Sequence, residues 1–156
     1  MSEKIANFLA EKRRDTPLLV LDLDLVADRY RRLKETLPNV DIYYAIKANP
    51  ADEVVMALAE EGSCFDIASL QEMDACLRLG VGASRLSFGH TIKKERDIAM
   101  AHSAGLDLFA FDSASELEKL ARAAPESRVF CRLTTKGDGA DWPLSKKFGC
   151  EVDIAE

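Results

Sequence analysis

The stretch YYAIKANP, Tyr43 to Pro50, decides how this chain is read. Ile42 to Ile46 is a short apolar and aromatic run with the make-up of a buried strand, and it ends at Lys47 before the chain turns at Asn49-Pro50. ADEVVMALAEEG follows, with Val54, Val55, Leu58 and Ala59 spaced for one helical face and Gly62 placed to close the helix. A buried strand that leads through a short turn into a helix is half of a βα unit.

The same unit recurs outward from this point. CFDIA reads as a second short strand, and Ser69 caps the helix SLQEMDACLRLG, with Glu72 completing a capping box and Gly80 ending it. LSFG (Leu86 to Gly89) and a helix over Lys93 to Ala104 form the next pair. LFAFD (Leu108 to Asp112) follows, then SASELEKLARAAP, with Ser113 or Ser115 as cap, and the strand RVFCRLTT (Arg128 to Thr135). Upstream, PLLVLDL (Pro17 to Leu23) reads as a strand, and Asp24 as the cap of a helix that runs to Pro38. KGDGADWP, Lys136 to Pro143, reads as a mobile loop with Trp142 as its anchor. Strands alternating with helices across short loops predict an α/β fold with a parallel sheet.

In that architecture, chemistry is placed at the C-terminal ends of the strands. Lys47, Asp66, Gly89, Asp112 and Arg132 all fall at or near such ends. The lysine has two readings. Partial burial beside Tyr43, Ala45 and Ile46 would lower its pKa and make the amine a nucleophile toward carbonyls; alternatively the side chain snorkels out to solvent. Asp66 is either a charge beside Lys47 or a strand-end cap, and Arg132 either a ligand-facing cation or a surface arginine. His102 reads as structural or exposed, and His90 as a residue within reach of a ligand.

Composition narrows the function. The chain has 156 residues, 47% hydrophobic and 31% charged, which suits a globular domain with a real core. Its net charge of −6, with Lys12-Arg13-Arg14 read as a solvated helix end, argues against nucleic acid as a partner. Four cysteines, Cys64, Cys76, Cys131 and Cys150, form no metal-ligand or disulfide spacing and read as buried reduced thiols, so no metal is expected. The N-terminus is charged and amphipathic, and no apolar run is long enough to span a membrane, which predicts a cytoplasmic protein with no membrane partner.

YYAIKANP followed by FDIAS resembles the signature of the pyridoxal-phosphate enzymes that share the alanine racemase type of barrel, and within them the ornithine, lysine and diaminopimelate decarboxylases. TPLLVLDLD, FDIASLQEMDACLRLGV, FAFDSASELEKL, RLTT and LSKKFG resemble the ornithine-type branch in order and spacing. The resemblance implies a (β/α)8 barrel of which residues 39–156 are the first part, with five barrel strands. Residues 1–38 would be an N-terminal helix, a strand of the family's β-domain and a helix leading in. It implies pyridoxal 5'-phosphate as cofactor, held covalently by Lys47, with Asp66 beside that lysine and Arg132 supporting the cofactor's ring. Ala45, Ser69 and Glu72 would stand behind these, and Lys147 near a dimer interface. His90 does not match the family's ring-stacking histidine.

That histidine, the glycine-rich phosphate loop, the acidic partner of the ring nitrogen and the residues that reach across the dimer have no counterpart in the sequence, and a complete barrel needs roughly 250 residues. The activity implied is decarboxylation of ornithine or lysine to a diamine, in polyamine biosynthesis, by a homodimer. The 156-residue chain alone is expected to be inactive. The alternative is a non-catalytic decarboxylase-like fragment or regulatory module that binds the cofactor or a protein partner.

Overall fold

Between Ile42 and Cys131 every helix returns the chain to the next strand of one sheet. The computed structural model describes residues 2–11, 15–135, 139, 141 and 147–155. Five strands, β1 (Tyr43–Ala45), β2 (Cys64–Ile67), β3 (Leu86–Phe88), β4 (Leu108–Phe111) and β5 (Arg128–Cys131), pair in sequence order, and every pair is parallel. The connecting helices are α3 (Asp52–Glu60), α4 (Leu70–Arg78), α5 (Glu95–Ser103) and α6 (Ala114–Ala123). Helices α1 (Glu3–Glu11) and α2 (Leu23–Thr36) precede the sheet, and the short α7 (Val152–Ala155) follows it.

Alternation along β2 shows how the sheet is used. Phe65 and Ile67 are fully buried in the core, whereas Cys64 and Asp66, on the opposite face, are half-buried. Val54, Val55 and Leu58 of α3, Met73 and Cys76 of α4, Ile98 of α5 and Leu120 of α6 belong to the same core as Phe65, Leu86 and Phe109. Helix ends follow a repeated device: Gly62, Gly80 and Gly105 take positive φ just past α3, α4 and α5. In each case the next residue's amide returns to the helix, Ser63 N to Leu58 O, Val81 N to Cys76 O and Leu106 N to Ala101 O. The sheet face that carries Asp66 is thereby aligned in register, with Ala45 beside Asp66 and Asp66 beside Ser87.

Several boundaries differ from the sequence reading. Pro17 to Leu23 forms no strand, because a strand needs a ladder partner and none lies beside it among the described residues. Helix α2 starts at Leu23, and its cap is Asp22 rather than Asp24: the Asp22 carboxylate accepts from Leu25 N at 3.4 Å and from Ser2 Oγ at 2.8 Å, while Asp24 pairs with Lys4. Strand β1 stops at Ala45 because Ile46–Ala48 wind into a single 3₁₀ turn, and β5 stops at Cys131. Ser113, not Ser115, caps α6, accepting from Glu116 N at 3.3 Å. Helix α5 begins at Glu95 because the backbone and side chain of Lys93 are taken by Glu116 of α6. Cys76 and Cys150 are buried, but Cys64 and Cys131 are half-buried, so the reading of all four as buried thiols fails for two. Lys12-Arg13-Arg14, Trp142 and most of Lys136 to Pro143 lie outside the described residues.

Candidate functional site

At the C-terminal edge of the sheet a cleft of about 230 Å³ is lined by Lys47, Asp66, Ala68, Gly89, His90, Arg132 and Phe148. Lys47, just after β1, Asp66, near the end of β2, and Arg132, just after β5, are far apart in sequence and meet here because each lies at the C-terminal end of a parallel strand. A larger apolar groove of about 680 Å³ lies between α1, α2 and β1. It is lined mainly by apolar side chains such as Leu25, Val26 and Ile42, with Asp22 and Arg29 as charged members of its wall.

Lys47 sits in the 3₁₀ turn after β1 and is exposed, so of its two readings the side chain that reaches out to solvent is found and partial burial is not. The turn explains this: once the backbone leaves the pleat at Ile46, Ile46 goes into the core and Lys47 points away from it. Asp66 is the more buried group. Burial pushes its carboxyl above the usual range, and Ser87, Lys47, the Gly89 amide and Arg132 pull it part of the way back. Ser87 Oγ donates to Asp66 Oδ1 at 2.6 Å. Gly89 completes the fixture, since a Cβ at that position would lie 2.1 Å from Asp66 Oδ1. A glycine is needed here for close approach to the carboxylate.

Asp66 therefore carries a pH signature. A carboxyl whose folded pKa is raised contributes stability at low pH that is lost as pH rises from the ordinary carboxyl range through the elevated value. Asp66→Asn removes the charge at nearly constant shape. Relative to the parent chain, the variant should therefore gain stability between about pH 4 and pH 7, measured by urea unfolding at each pH. A difference that is flat across this range would show that burial does not control this carboxyl.

Ser69 and Glu72 act behind the wall. Ser69 Oγ accepts from Glu72 N at 3.3 Å, as a capping box requires, but the Glu72 carboxylate takes the amide of Ala68 at 2.6 Å rather than that of Ser69. This ties Ala68, which lines the cleft, to the first turn of α4. Ala45 stands beside Asp66 in the ladder and adds no polar group. Asp112, also at a strand end, is turned to another use: its Oδ2 accepts from Gly149 N at 2.9 Å and so holds the segment that carries Phe148. Lys147 is exposed, and His102 is half-buried on α5 with its Nδ1 unpartnered.

Two wall residues were weak signals in the sequence. The His90 ring packs edge-on against Phe148 at 5.6 Å, and the Arg132 guanidinium lies 5.1 Å over the same ring. His90 follows a strand end, which made it visible; Phe148 comes from a distant segment and only the fold brings it here. Among the described residues, no cluster of three or more His, Cys, Asp or Glu side chains is placed to hold a metal ion.

Residues 23–156 match the family described as pyridoxal-dependent decarboxylase, pyridoxal binding domain. The chain belongs to that family. It is 38% identical over 155 residues to the lysine/ornithine decarboxylase of Selenomonas ruminantium, covering 99% of this chain and 39% of that protein. Among solved structures, an SrLDC variant in complex with PLP superimposes with a TM-score of 0.86 at 37% identity, covering 98% of this chain and 40% of that one. The Paramecium bursaria Chlorella virus arginine decarboxylase bound to agmatine gives a TM-score of 0.87 at 28% identity, covering 98% and 42%. The five parallel strands are thus the N-terminal part of a decarboxylase barrel, and the chain spans about two fifths of the length of these relatives.

The cofactor is pyridoxal 5'-phosphate. The donor set of the cleft fits its reactive end: an amine for an aldehyde and a permanently charged planar guanidinium for a phenolate oxygen, with a carboxylate between them. The described residues of the cleft include no glycine-rich backbone cradle of the kind that takes a phosphate. No helix among them is long and apolar enough to cross a membrane.

Proposed function

We propose that this domain serves the decarboxylation of a basic amino acid, ornithine or lysine, to a diamine. The observation that carries the reading is the convergence of Lys47, Asp66 and Arg132 in one cleft at the C-terminal edge of a parallel sheet. The names of its relatives, which include lysine/ornithine and arginine decarboxylases, support the substrate class. Pyridoxal phosphate, when bound, supplies an electron sink for the carbon that loses carbon dioxide.

This chain's own residues do the rest. Lys47 would be the residue that holds the cofactor through its amine, and once exchanged for the substrate it would be free to carry a proton. Asp66 lines the same cleft as Lys47, and the two side chains interact electrostatically there. Arg132 would support the cofactor's ring; its guanidinium lies over Phe148, and His90 packs on the edge of that ring, closing that side of the cleft. In this reading the protein acts in the cytoplasm as a homodimer that takes part in polyamine formation.

The test is carbon dioxide release from ornithine, lysine and arginine by the native protein with pyridoxal phosphate present. Release from ornithine or lysine, with the matching diamine as product, is the expected result. Tight cofactor binding with no release from any of the three would favour the non-catalytic module instead.

A further inference from the structure

Cys131 ends β5 and Cys150 lies nineteen positions later, yet their sulfurs stand 3.4 Å apart. Backbone geometry makes the contact. Cys150 N donates to Arg132 O at 2.9 Å, Thr134 N donates to Cys150 O at 2.9 Å, and Leu133 and Cys150 form a parallel bridge. Gly149 permits the approach: its φ is +101°, and a Cβ there would lie 2.8 Å from the carbonyl carbon of Leu133. The amide of Gly149 is fixed by Asp112 Oδ2. Both thiols are free, Cys131 half-buried and Cys150 buried.

We propose that Cys131 and Cys150 form a dithiol site that reacts with low-molecular-weight disulfides and closes to an intramolecular disulfide fastening the 147–150 segment to β5. Cys131, the more exposed, loses its proton to solvent, and its thiolate attacks one sulfur of the small disulfide; that bond breaks and one small thiolate leaves. Cys150 then loses its proton and attacks the Cys131 sulfur, displacing the second small thiolate. Two cysteine thiols are oxidised by two electrons, the small disulfide is reduced to two thiols, and the two protons released re-protonate them.

The closing movement is small, because the sulfurs must come from 3.4 Å to about 2.05 Å. Partial burial holds the Cys131 thiol above its ordinary pKa, with Cys150 and Asp112 acting in the same direction, so the first attack is slow near neutrality. The link sits between the two sides of the cleft wall, since Arg132 is next to Cys131 and its partner Phe148 is two residues before Cys150. The site stands apart from the reading of the reaction, and its test does not use the cofactor.

The native protein is incubated without oxygen in glutathione disulfide at mildly alkaline pH, then denatured, alkylated and mapped by peptide mass spectrometry. Circular dichroism taken before denaturation confirms that the chain reacts while folded. The expected product is a Cys131–Cys150 linked peptide carrying no glutathione and reversed by dithiothreitol, with Cys64 and Cys76 alkylated. Cys150→Ser should stop at a glutathione adduct on Cys131. Amide exchange at Gly149 and Cys150 should slow about tenfold or more on oxidation, as expected when a local opening is tied shut. A glutathione adduct that persists on Cys131 of the unsubstituted protein, a link to Cys64 or Cys76, or alkylation of all four cysteines would overturn the site. Unchanged exchange in the linked protein would overturn the fastening.

Discussion

Glu116→Ala should lower the folding stability of this chain by about 3–5 kcal/mol, a large share of what a domain of this size possesses. The Glu116 side chain is 3% exposed and accepts from Lys93 Nζ at 2.9 Å; the Lys93 side chain is itself 0% exposed. That ammonium also donates to the carbonyls of Ala110 at 2.6 Å and His90 at 2.9 Å, and lies 5.6 Å over the Phe88 ring. Burial pulls the Lys93 pKa down and Glu116 pushes it back up, so the carboxylate is what keeps a charged lysine tolerable in the core. Lys119 completes the cluster from the next turn of α6, pairing with Glu116 and with the Lys93 carbonyl. Removing the carboxylate leaves a buried cation uncompensated and the Lys93 amide, which donates to Glu116 at 3.1 Å, without its acceptor. The double variant Lys93→Met, Glu116→Leu removes both charges and should recover most of the loss, because well-packed apolar replacements of buried pairs are often neutral or better. Urea unfolding of Lys93→Met alone, Glu116→Leu alone and the double closes the cycle. A double variant as unstable as the sum of its singles would show that the two side chains do not act on each other.

This cluster also marks the limit of what the sequence disclosed. Strand and helix order was legible because each βα unit carries its own local signals: an apolar run, a capping serine at Ser69 or Ser113, a glycine at Gly62, Gly80 or Gly105. Strand-end residues were legible for the same reason, and four of them, Lys47, Asp66, Gly89 and Arg132, do share one cleft. Lys93, by contrast, reads as the start of a helix, and nothing local says that it is buried while Lys94 is exposed. That depends on where Glu116 of a later helix arrives. Phe148 at the cleft and the approach of Cys150 to Cys131 are hidden in the same way, because they join segments far apart in the chain. Asp24 reads as the cap of α2, but Ser2 and Lys4 at the start of α1 decide otherwise: Ser2 donates to Asp22, which caps the helix, and Lys4 pairs with Asp24.

Replacing Lys47 should have the largest effect on activity and almost none on the fold. Its side chain is exposed in a 3₁₀ turn and makes no hydrogen bond or ion pair among the described residues, so Lys47→Arg is expected to change stability by no more than about 0.5 kcal/mol. The same substitution replaces a nucleophilic amine with a guanidinium that stays protonated at every accessible pH and adds to no aldehyde. Covalent capture of the cofactor by this residue should disappear, and decarboxylation should fall by about 10²–10⁴ from the lost proton carrier alone. Borohydride reduction of the parent protein with pyridoxal phosphate, followed by peptide mapping, should place the phosphopyridoxyl group on Lys47. The competing lysines near the cleft are excluded on different grounds. Lys93 is locked by Glu116 and two carbonyls, and Lys119 by Glu116; Lys147 is exposed and, unlike its neighbour Phe148, does not line the cleft. A phosphopyridoxyl group on Lys147, or one retained in full by Lys47→Arg, would move the covalent site off β1 and remove the basis for assigning Asp66 and Arg132 to the two sides of the cofactor.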